Sequence, residues 1–533
     1  MSNPNPVQWY LRPEVKIEPL VCGWYAWSHL LPPAQLGLHL ANRLLPLLES
    51  FAEHPDQHLA AASDPEMYGG PFVTLAQTDL PAVRTLAQQT REQAGDLLAL
   101  AHGLRQEMRQ LRELASGQTL GGLYQDLPPE LAGLVELLYD VDNQPHIRLF
   151  ERMMQHAYPV AHLQSVMLER RADADRHFFM STPRLASPDA LTLQLPFRDR
   201  RLDELVAART RGCDPAALAH LLGVPDNRQE QFAALFSPER PESNGRQSYA
   251  GEDVRVRFFG HACVLVQTDE LSILFDPYVA MESGQDGRFT LGDLPERIDV
   301  VVLTHAHQDH FSIEMLLQLR PRVGRVVIPA NNAGCICDPS MKIALQELGF
   351  GAIDVLEPME SLQLPGACLT SLPFTGEHAD LNIHSKQALA LRARGQTLMF
   401  LVDSDGRDVV LYERLKRQLG SVDALFIGME CVGAPLNWLY EPLLPRPVSR
   451  RHNESRRLSG ADSARAAAIV AALAPRRVFI YAMGQDPWMK YIMGLSYAPD
   501  SVQLSEADKL VVFCRERDIC AERPASGREI ELS

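Results

Sequence analysis

The chain has no surplus of positive charge. Its 51 lysines and arginines face 67 aspartates and glutamates, leaving a formal net charge of -16 and a pI near 5.5. Non-specific binding of DNA or RNA needs a basic face, so a nucleic-acid partner is excluded. No window is apolar enough to cross a bilayer, and the opening Met1-Ser2-Asn3-Pro4-Asn5-Pro6 lacks the charged-then-apolar order of a secretion signal. A cytoplasmic protein with no membrane partner is expected. Nine cysteines, an odd number, show no regular spacing and hence no disulfide framework. They read as reduced thiols, and the one close pair, Cys335-Ile336-Cys337, has nothing nearby to complete a zinc site. No G-x-G-x-x-G follows a strand-like run, which removes a built-in flavin or nicotinamide site. There is no internal repeat, no low-complexity tract, and no histidine after His452.

What the chain does have is length enough for more than one core, and a change of texture near its middle. Up to about Ser248 amphipathic helical patterns dominate: Ala34 to Leu48, Leu80 to Leu114 and Pro129 to Tyr139. Val160 to Leu168 and Leu191 to Pro196 look strand-like, and Cys213 to Leu235 returns to short helices. An α+β, largely helical accessory domain, 1–247, is expected, serving dimerisation, partner docking or cover for an active site. Phe236 to Gly245, rich in Pro and Ser, is the best linker. Beyond it, in 248–533, short β runs alternate with helices such as Ile313 to Leu319 and Val409 to Leu419. Strand meanders broken by single helices suggest an α/β arrangement of two sheets sandwiched by helices.

One segment carries most of the chemistry: Thr304-His305-Ala306-His307-Gln308-Asp309-His310, directly after the apolar run from Ile298 to Leu303. This is H-x-H-x-D-H at the end of a buried strand. A tight turn there lets His305 and His307 bind one metal from the same side, while Asp309 and His310, entering the next helix, face a second ion.

The second half thereby resembles the metallo-β-lactamase fold, an αββα sandwich with a dinuclear site along one edge. The resemblance rests on that motif together with Phe259-Gly260-His261-Ala262, Phe275-Asp276-Pro277, Phe374 to His378, and Phe400-Leu401-Val402-Asp403. It implies that Asp276 orients a ligand histidine and that Asp403 gives a carboxylate to the metals. His261 reads as a hydrogen-bonding support for the site. Two departures from the hydrolase pattern stand out. The position of the usual third histidine reads Glu377-His378, so either residue is a candidate there. The late strand Arg477 to Tyr481 runs into Ala482-Met483-Gly484, where a zinc hydrolase places its last histidine. If Glu377 ligates, the set is three histidines and three carboxylates, which suits iron better than tetrahedral zinc.

The ligand pattern, domain order and length further resemble the diiron β-hydroxylases of chloramphenicol biosynthesis. That resemblance implies two iron ions, dioxygen as co-substrate and an external electron donor, a separate reductase. It implies His305, His307 and Glu377 on one iron, with Asp309, His310 and Asp403 around the other and His378 as a supporting residue. The implied substrate is L-p-aminophenylalanine, held as a thioester on the phosphopantetheine arm of a nonribosomal peptide synthetase carrier domain and hydroxylated at Cβ. Carrier domains are acidic and their arm bears a phosphate, so Arg450, Arg451, Arg456 and Arg457 are docking candidates. Glu430 is a candidate pocket acid, binding the substrate's polar groups or relaying a proton, and is grouped with Glu377 and Asp403 as a catalytic candidate. Trp438, Tyr440, Trp488 and Tyr491 flank the expected mouth and are either pocket walls or core. The rival readings are a dinuclear zinc or manganese hydrolase of a thioester or phosphoester using His378, and a non-catalytic carrier-binding protein.

Overall fold

The computed structural model describes residues 8–64, 67, 69–241, 248–282, 287–494 and 497–532. Two seven-stranded sheets form the second half. In the first, Ser272–Phe275, Ile298–Val302, Val323–Pro329 and Ile353–Leu356 run parallel, and Val254–Gly260 and Cys263–Gln267 complete an antiparallel edge with the last strand, Arg528–Leu532. In the second, Gln396–Phe400, Ala424–Gly428 and Arg477–Tyr481 are parallel neighbours. Valine, isoleucine and phenylalanine fill these central strands because both faces are covered. Between the sheets Phe275 stacks on Phe400 at 4.1 Å, Phe400 on Phe426 at 4.8 Å, and Phe426 on Phe479 at 4.8 Å. Helices Val409–Leu419, Ser463–Leu473 and Val502–Arg515 cover the outer face of the second sheet. The strand and helix pattern expected from the sequence is met here, with Ile313–Leu319 and Val409–Leu419 matching end to end.

The outer face of the first sheet is buried under the accessory half. One apolar cluster runs from Leu11, Trp24 and Phe51 through Phe197 to Phe259, Leu316 and Tyr491, so the two halves share a core. The accessory half holds a four-stranded antiparallel sheet, Trp24–Tyr25, Val15–Val21, Gln164–Arg170 and Ala190–Leu193. The expected linker Phe236 to Gly245 starts too early: Phe236–Ser237 is a buried strand paired with Tyr10–Leu11, and the expected linker's last residues, 242–245, lie outside the described residues.

Two expectations for this half need correction, and a third is met with one irregularity. Leu80 to Leu114 is two helices, Leu80–Gln93 and Gly95–Leu114, broken at Ala94 where ψ turns to 23°. Ala34 to Leu48 is helical throughout but contains one wide turn, Leu40–Leu44. Pro129 to Tyr139 is not a helix. After a short 3₁₀ turn at Pro129–Leu131, Val135–Tyr139 forms a hairpin with Pro145–Leu149. Asp140 closes its turn by accepting from the backbone of Asp142 and Gln144, and Asn143 takes the left-handed conformation. Among the described residues no helix is long and apolar enough to cross a membrane.

Candidate metal centre and its cavity

Parallel pairing explains why distant residues converge. Ser272–Phe275 and Ile298–Val302 run side by side in one direction, so Asp276 and Thr304 emerge at the same sheet edge. Asp276, at φ +38°, accepts from the Thr304 backbone (2.8 Å), the Thr304 hydroxyl (2.6 Å) and His310 Nδ1 (2.9 Å). This fixes the ring of His310 and turns its Nε2 inward. In the second sheet the same logic brings Asp403, Glu430 and Ala482 to one edge. Glu377 arrives from the loop between Ala367–Leu372 and Ala388–Ala393, at φ +62°. Its neighbour Gly376 has no room for a side chain: a Cβ would lie 2.0 Å from Asp405 Cγ. Lys386 Nζ donates to the Gly376 carbonyl at 3.0 Å and holds that turn.

The resulting cluster is almost wholly buried. His307 Nδ1 lies 2.8 Å from Glu377 Oε1, and His305 Nε2 faces Glu377 at 3.8 Å and Asp403 at 3.7 Å. His310 Nε2 sits 3.0 Å from Asp403 and 3.5 Å from Asp309. His378 Nδ1 meets the other Glu377 oxygen at 2.9 Å, and its ring stacks on His307. His261 Nε2 lies 3.1 Å from Asp309, while its Nδ1 accepts from the Gly484 backbone at 3.0 Å. That second contact puts the proton of neutral His261 on Nε2, where it donates to Asp309 and has no lone pair for a metal. The donor atoms gather into three overlapping sets: His305, His307, Glu377 and His378; His305, His310 and Asp403; His261, Asp309 and His310.

The charge pattern asks for cations. Burial opposes ionisation of Glu377, yet His307 and His378 hold its carboxyl down at about 2. Burial also opposes the charge on His310, but Asp309, Asp403 and Asp276 push it well above the ordinary imidazole range. His305 is driven well below that range by burial and by its imidazole neighbours, and burial lowers His378 to about 4. Burial raises Asp403. His305 Nε2 is buried without a hydrogen-bond partner, its nearest carboxylate oxygens standing 3.7 and 3.8 Å away. An orphaned nitrogen shared by two of the donor sets, within three imidazoles and three carboxylates that converge, fits a pair of divalent iron ions.

A cavity of about 620 Å³ opens onto the cluster. His307, Asp309, Glu377, Asp403 and Glu430 line one end, and Phe72, Trp438, Leu439 and Met493 line the walls. Ala482 lies on the wall where the hydrolase pattern would place a histidine. Burial raises the Glu430 carboxyl, which accepts from Gln503 Nε2 (2.7 Å) and the Gly433 backbone (2.5 Å). The four flanking aromatics divide. Trp438 is a wall residue whose Nε1 donates to the Gly69 carbonyl (2.9 Å). Tyr440 hydrogen-bonds His307 Nε2 at 3.0 Å. Trp488 packs on Gly260, and Tyr491 is buried against Tyr278. The basic segment divides too. Arg456 donates to the Ala379 carbonyl and Arg457 to those of Val432 and Gly433, whereas Arg450 and Arg451 are exposed. The stretch Gly69–Phe72, which closes one side of the cavity, carries no motif that would have disclosed it.

Comparison with known proteins agrees with this geometry. Residues 10–241 match the diiron non-heme beta-hydroxylase N-terminal domain, and residues 255–430 match the beta-lactamase superfamily domain. The chain is 34% identical over 534 residues to the 4-amino-L-phenylalanyl-[CmlP-peptidyl-carrier-protein] 3-hydroxylase of Streptomyces venezuelae, covering 99% of this chain and 100% of that one. The crystal structure of CmlA, a diiron beta-hydroxylase from Streptomyces venezuelae, superposes with a TM-score of 0.91 at 34% identity, over 98% of this chain and 99% of that one. A mutant of CmlA superposes with a TM-score of 0.90 at 34% identity, over 98% and 100% of the two chains. With the whole length matched and a donor set suited to two irons at the shared sheet edge, the chain belongs to the diiron non-heme β-hydroxylases, oxygen-dependent oxidoreductases on a metallo-β-lactamase fold.

Proposed function

We propose that this enzyme hydroxylates Cβ of an aromatic aminoacyl group, L-p-aminophenylalanyl first among them, carried as a thioester on the phosphopantetheine arm of a nonribosomal peptide synthetase. The observation that carries this reading is the convergence of three imidazoles and three carboxylates at the cavity, with His305 Nε2 left unpartnered, within a full-length match to a carrier-dependent hydroxylase. His305, His307 and Glu377 are assigned to one iron, and Asp309, His310 and Asp403 to the other. His378, against Glu377, and Asp276 and His261, against His310 and Asp309, orient the ligands. With dioxygen and two electrons, a two-iron centre supplies the oxidising power to turn the benzylic Cβ–H into C–OH, the second oxygen leaving as water.

The protein's own residues do the rest. Glu377 and Asp403 fix the negative charge that holds the metals. The apolar walls keep water from the reacting carbon, and the Gly69–Phe72 stretch makes the accessory half, 1–247, a roof over the 248–533 domain. Arg450 and Arg451 stand free to meet an acidic carrier, while Arg456 and Arg457 shape the loop beneath them. Electrons come from a separate reductase. The test is metal analysis of protein expressed with iron and zinc both supplied, then single turnover of the reduced protein with aminoacyl carrier under dioxygen. Two irons per chain and a hydroxylated aminoacyl group are expected; thioester cleavage alone would overturn the reading.

A further inference from the structure

We propose that Glu430 anchors the α-ammonium group of the substrate, so that the enzyme takes aminoacyl groups with a free amine and acts before any acylation of that nitrogen. The inference rests on the carrier-bound aminoacyl substrate proposed above. Four carboxylates line the cavity end. Three of them lie against imidazoles: Glu377 against His307 (2.8 Å), Asp309 against His261 (3.1 Å) and Asp403 against His310 (3.0 Å). Glu430 differs. Its oxygens accept from neutral donors, Gln503 Nε2 and the backbone of Gly433 and Val432, and it forms no ion pair among the described residues. Arg457, the arginine lining the cavity, is committed elsewhere: to the carbonyls of Val432 (2.7 Å) and Gly433 (2.5 Å), and to Glu454 (2.7 Å).

A carboxylate facing an apolar-walled cavity without a counter-ion gains most from a cation delivered by the ligand. An aminoacyl thioester carries one such group, the ammonium on the carbon next to Cβ. Glu430 follows the strand beside the one that leads to Asp403, so a cation held there lies at the metal edge and brings Cβ with it. A para-amino group on the ring is neutral at pH 7 and sits at the far end of the side chain, which suits this position poorly. The bland role, holding the turn at Gly433 (φ +63°), needs only hydrogen-bond acceptance and predicts no preference between ligands. An amide-forming step at the same nitrogen would therefore have to follow hydroxylation.

The experiment uses iron-loaded enzyme and non-hydrolysable pantetheine amides of four acyl groups: the p-aminophenylalanyl group, its N-acetyl form, its des-α-amino form, and the form without the para-amino group. Calorimetric binding is expected to weaken about 10–100-fold for the N-acetyl and des-α-amino ligands and to change little on loss of the para-amino group. Glu430→Gln should weaken the free-amine ligand by a similar factor and abolish the preference, with iron content unchanged. Equal binding of amino and des-α-amino ligands by the wild-type enzyme would overturn the proposal. So would uniform weakening of all four by Glu430→Gln, or a preference that follows the para-amino group. The wild-type series decides even if the variant fails to fold. Absence of hydroxylation with the aminoacyl carrier would sink the functional reading while leaving the binding result to judge Glu430.

Discussion

His310 and Glu314 are near neighbours in the chain, yet they belong to two buried charge clusters balanced on opposite terms. Around Glu314 the protein supplies its own counter-ions. Arg176 lies 2.5 Å from Glu314 and 2.6 Å from Glu18, Arg184 reaches Glu18 at 2.5 Å, and Tyr25 donates to Glu314 at 2.9 Å. Two acids meet two arginines, and the cluster ties the accessory half to the helix that follows the H-x-H-x-D-H motif. Around His310 carboxylates face imidazoles, no arginine or lysine forms an ion pair with them among the described residues, and His305 Nε2 has no partner. Buried charge alone therefore does not mark a functional site. What marks it is charge the chain declines to balance, left for a cofactor to neutralise.

Breaking each cluster should give opposite signatures. Asp403→Ala should cut hydroxylation by more than about 10³-fold and lower iron per chain, while barely moving the unfolding midpoint of the metal-free protein. Quantified iron and urea titration of metal-free protein check this. A metal-free variant that unfolds much earlier than metal-free wild type would make the two clusters alike. Arg176→Met should do the reverse. It leaves Glu18 and Glu314 short of a cation in the interior, at a cost of about 3–5 kcal/mol in unfolding free energy. Iron per folded chain should stay unchanged.

Acid titration sharpens the contrast further. Burial opposes its ionisation, but Arg184 and Arg176 hold Glu18 at about 2 against an ordinary 4.5. A depressed folded-state pKa means that the stabilisation is complete above 4.5 and disappears as pH falls from there to about 2. The amount at stake is at most roughly 3 kcal/mol. Unfolding free energies measured between pH 5.5 and 3 should fall more steeply for the wild type than for Glu18→Gln. Parallel slopes would mean that Glu18 is not held down by its arginines.

The contrast also explains what could be read from sequence. The H-x-H-x-D-H motif was legible because its geometry is local: one strand end and one turn place every donor. Asp276 and Asp403 follow separate strands and Glu377 sits in a loop, and all three were readable only through the family resemblance. Tyr440 against His307, and Gly69–Phe72 along the cavity, depend on packing between segments more than a hundred residues apart, and no period or spacing encodes that. The strand Val15–Val21 was hidden because Lys16, Glu18 and Pro19 interrupt an apolar run. They are buried there because Lys16 pairs with Asp173 at 2.7 Å and Glu18 with two arginines. Pro129 to Tyr139 misled because its leucines suit a helix until the Asp140 turn pairs Val135–Tyr139 with a second strand.

The smallest expected effect concerns the surface, where neither kind of balance is complete. Arg450 and Arg451 begin the short helix Arg450–Ser455, capped by Ser449. Cations at a helix N-terminus oppose the helix dipole, so their placement there does not serve the stability of the helix. Exposed charges contribute about 0.2–1 kcal/mol each to a contact. The double change Arg450→Glu, Arg451→Glu should therefore weaken binding of the phosphopantetheinylated carrier by about 2–10-fold at low salt. The loss should shrink as salt is raised, and the unfolding midpoint should hold or rise slightly. Iron content should not move. If carrier affinity is unchanged at low ionic strength, these arginines are solvated surface and the carrier docks elsewhere. If affinity falls and stability falls with it, the helix depends on its arginines in a way the dipole argument denies.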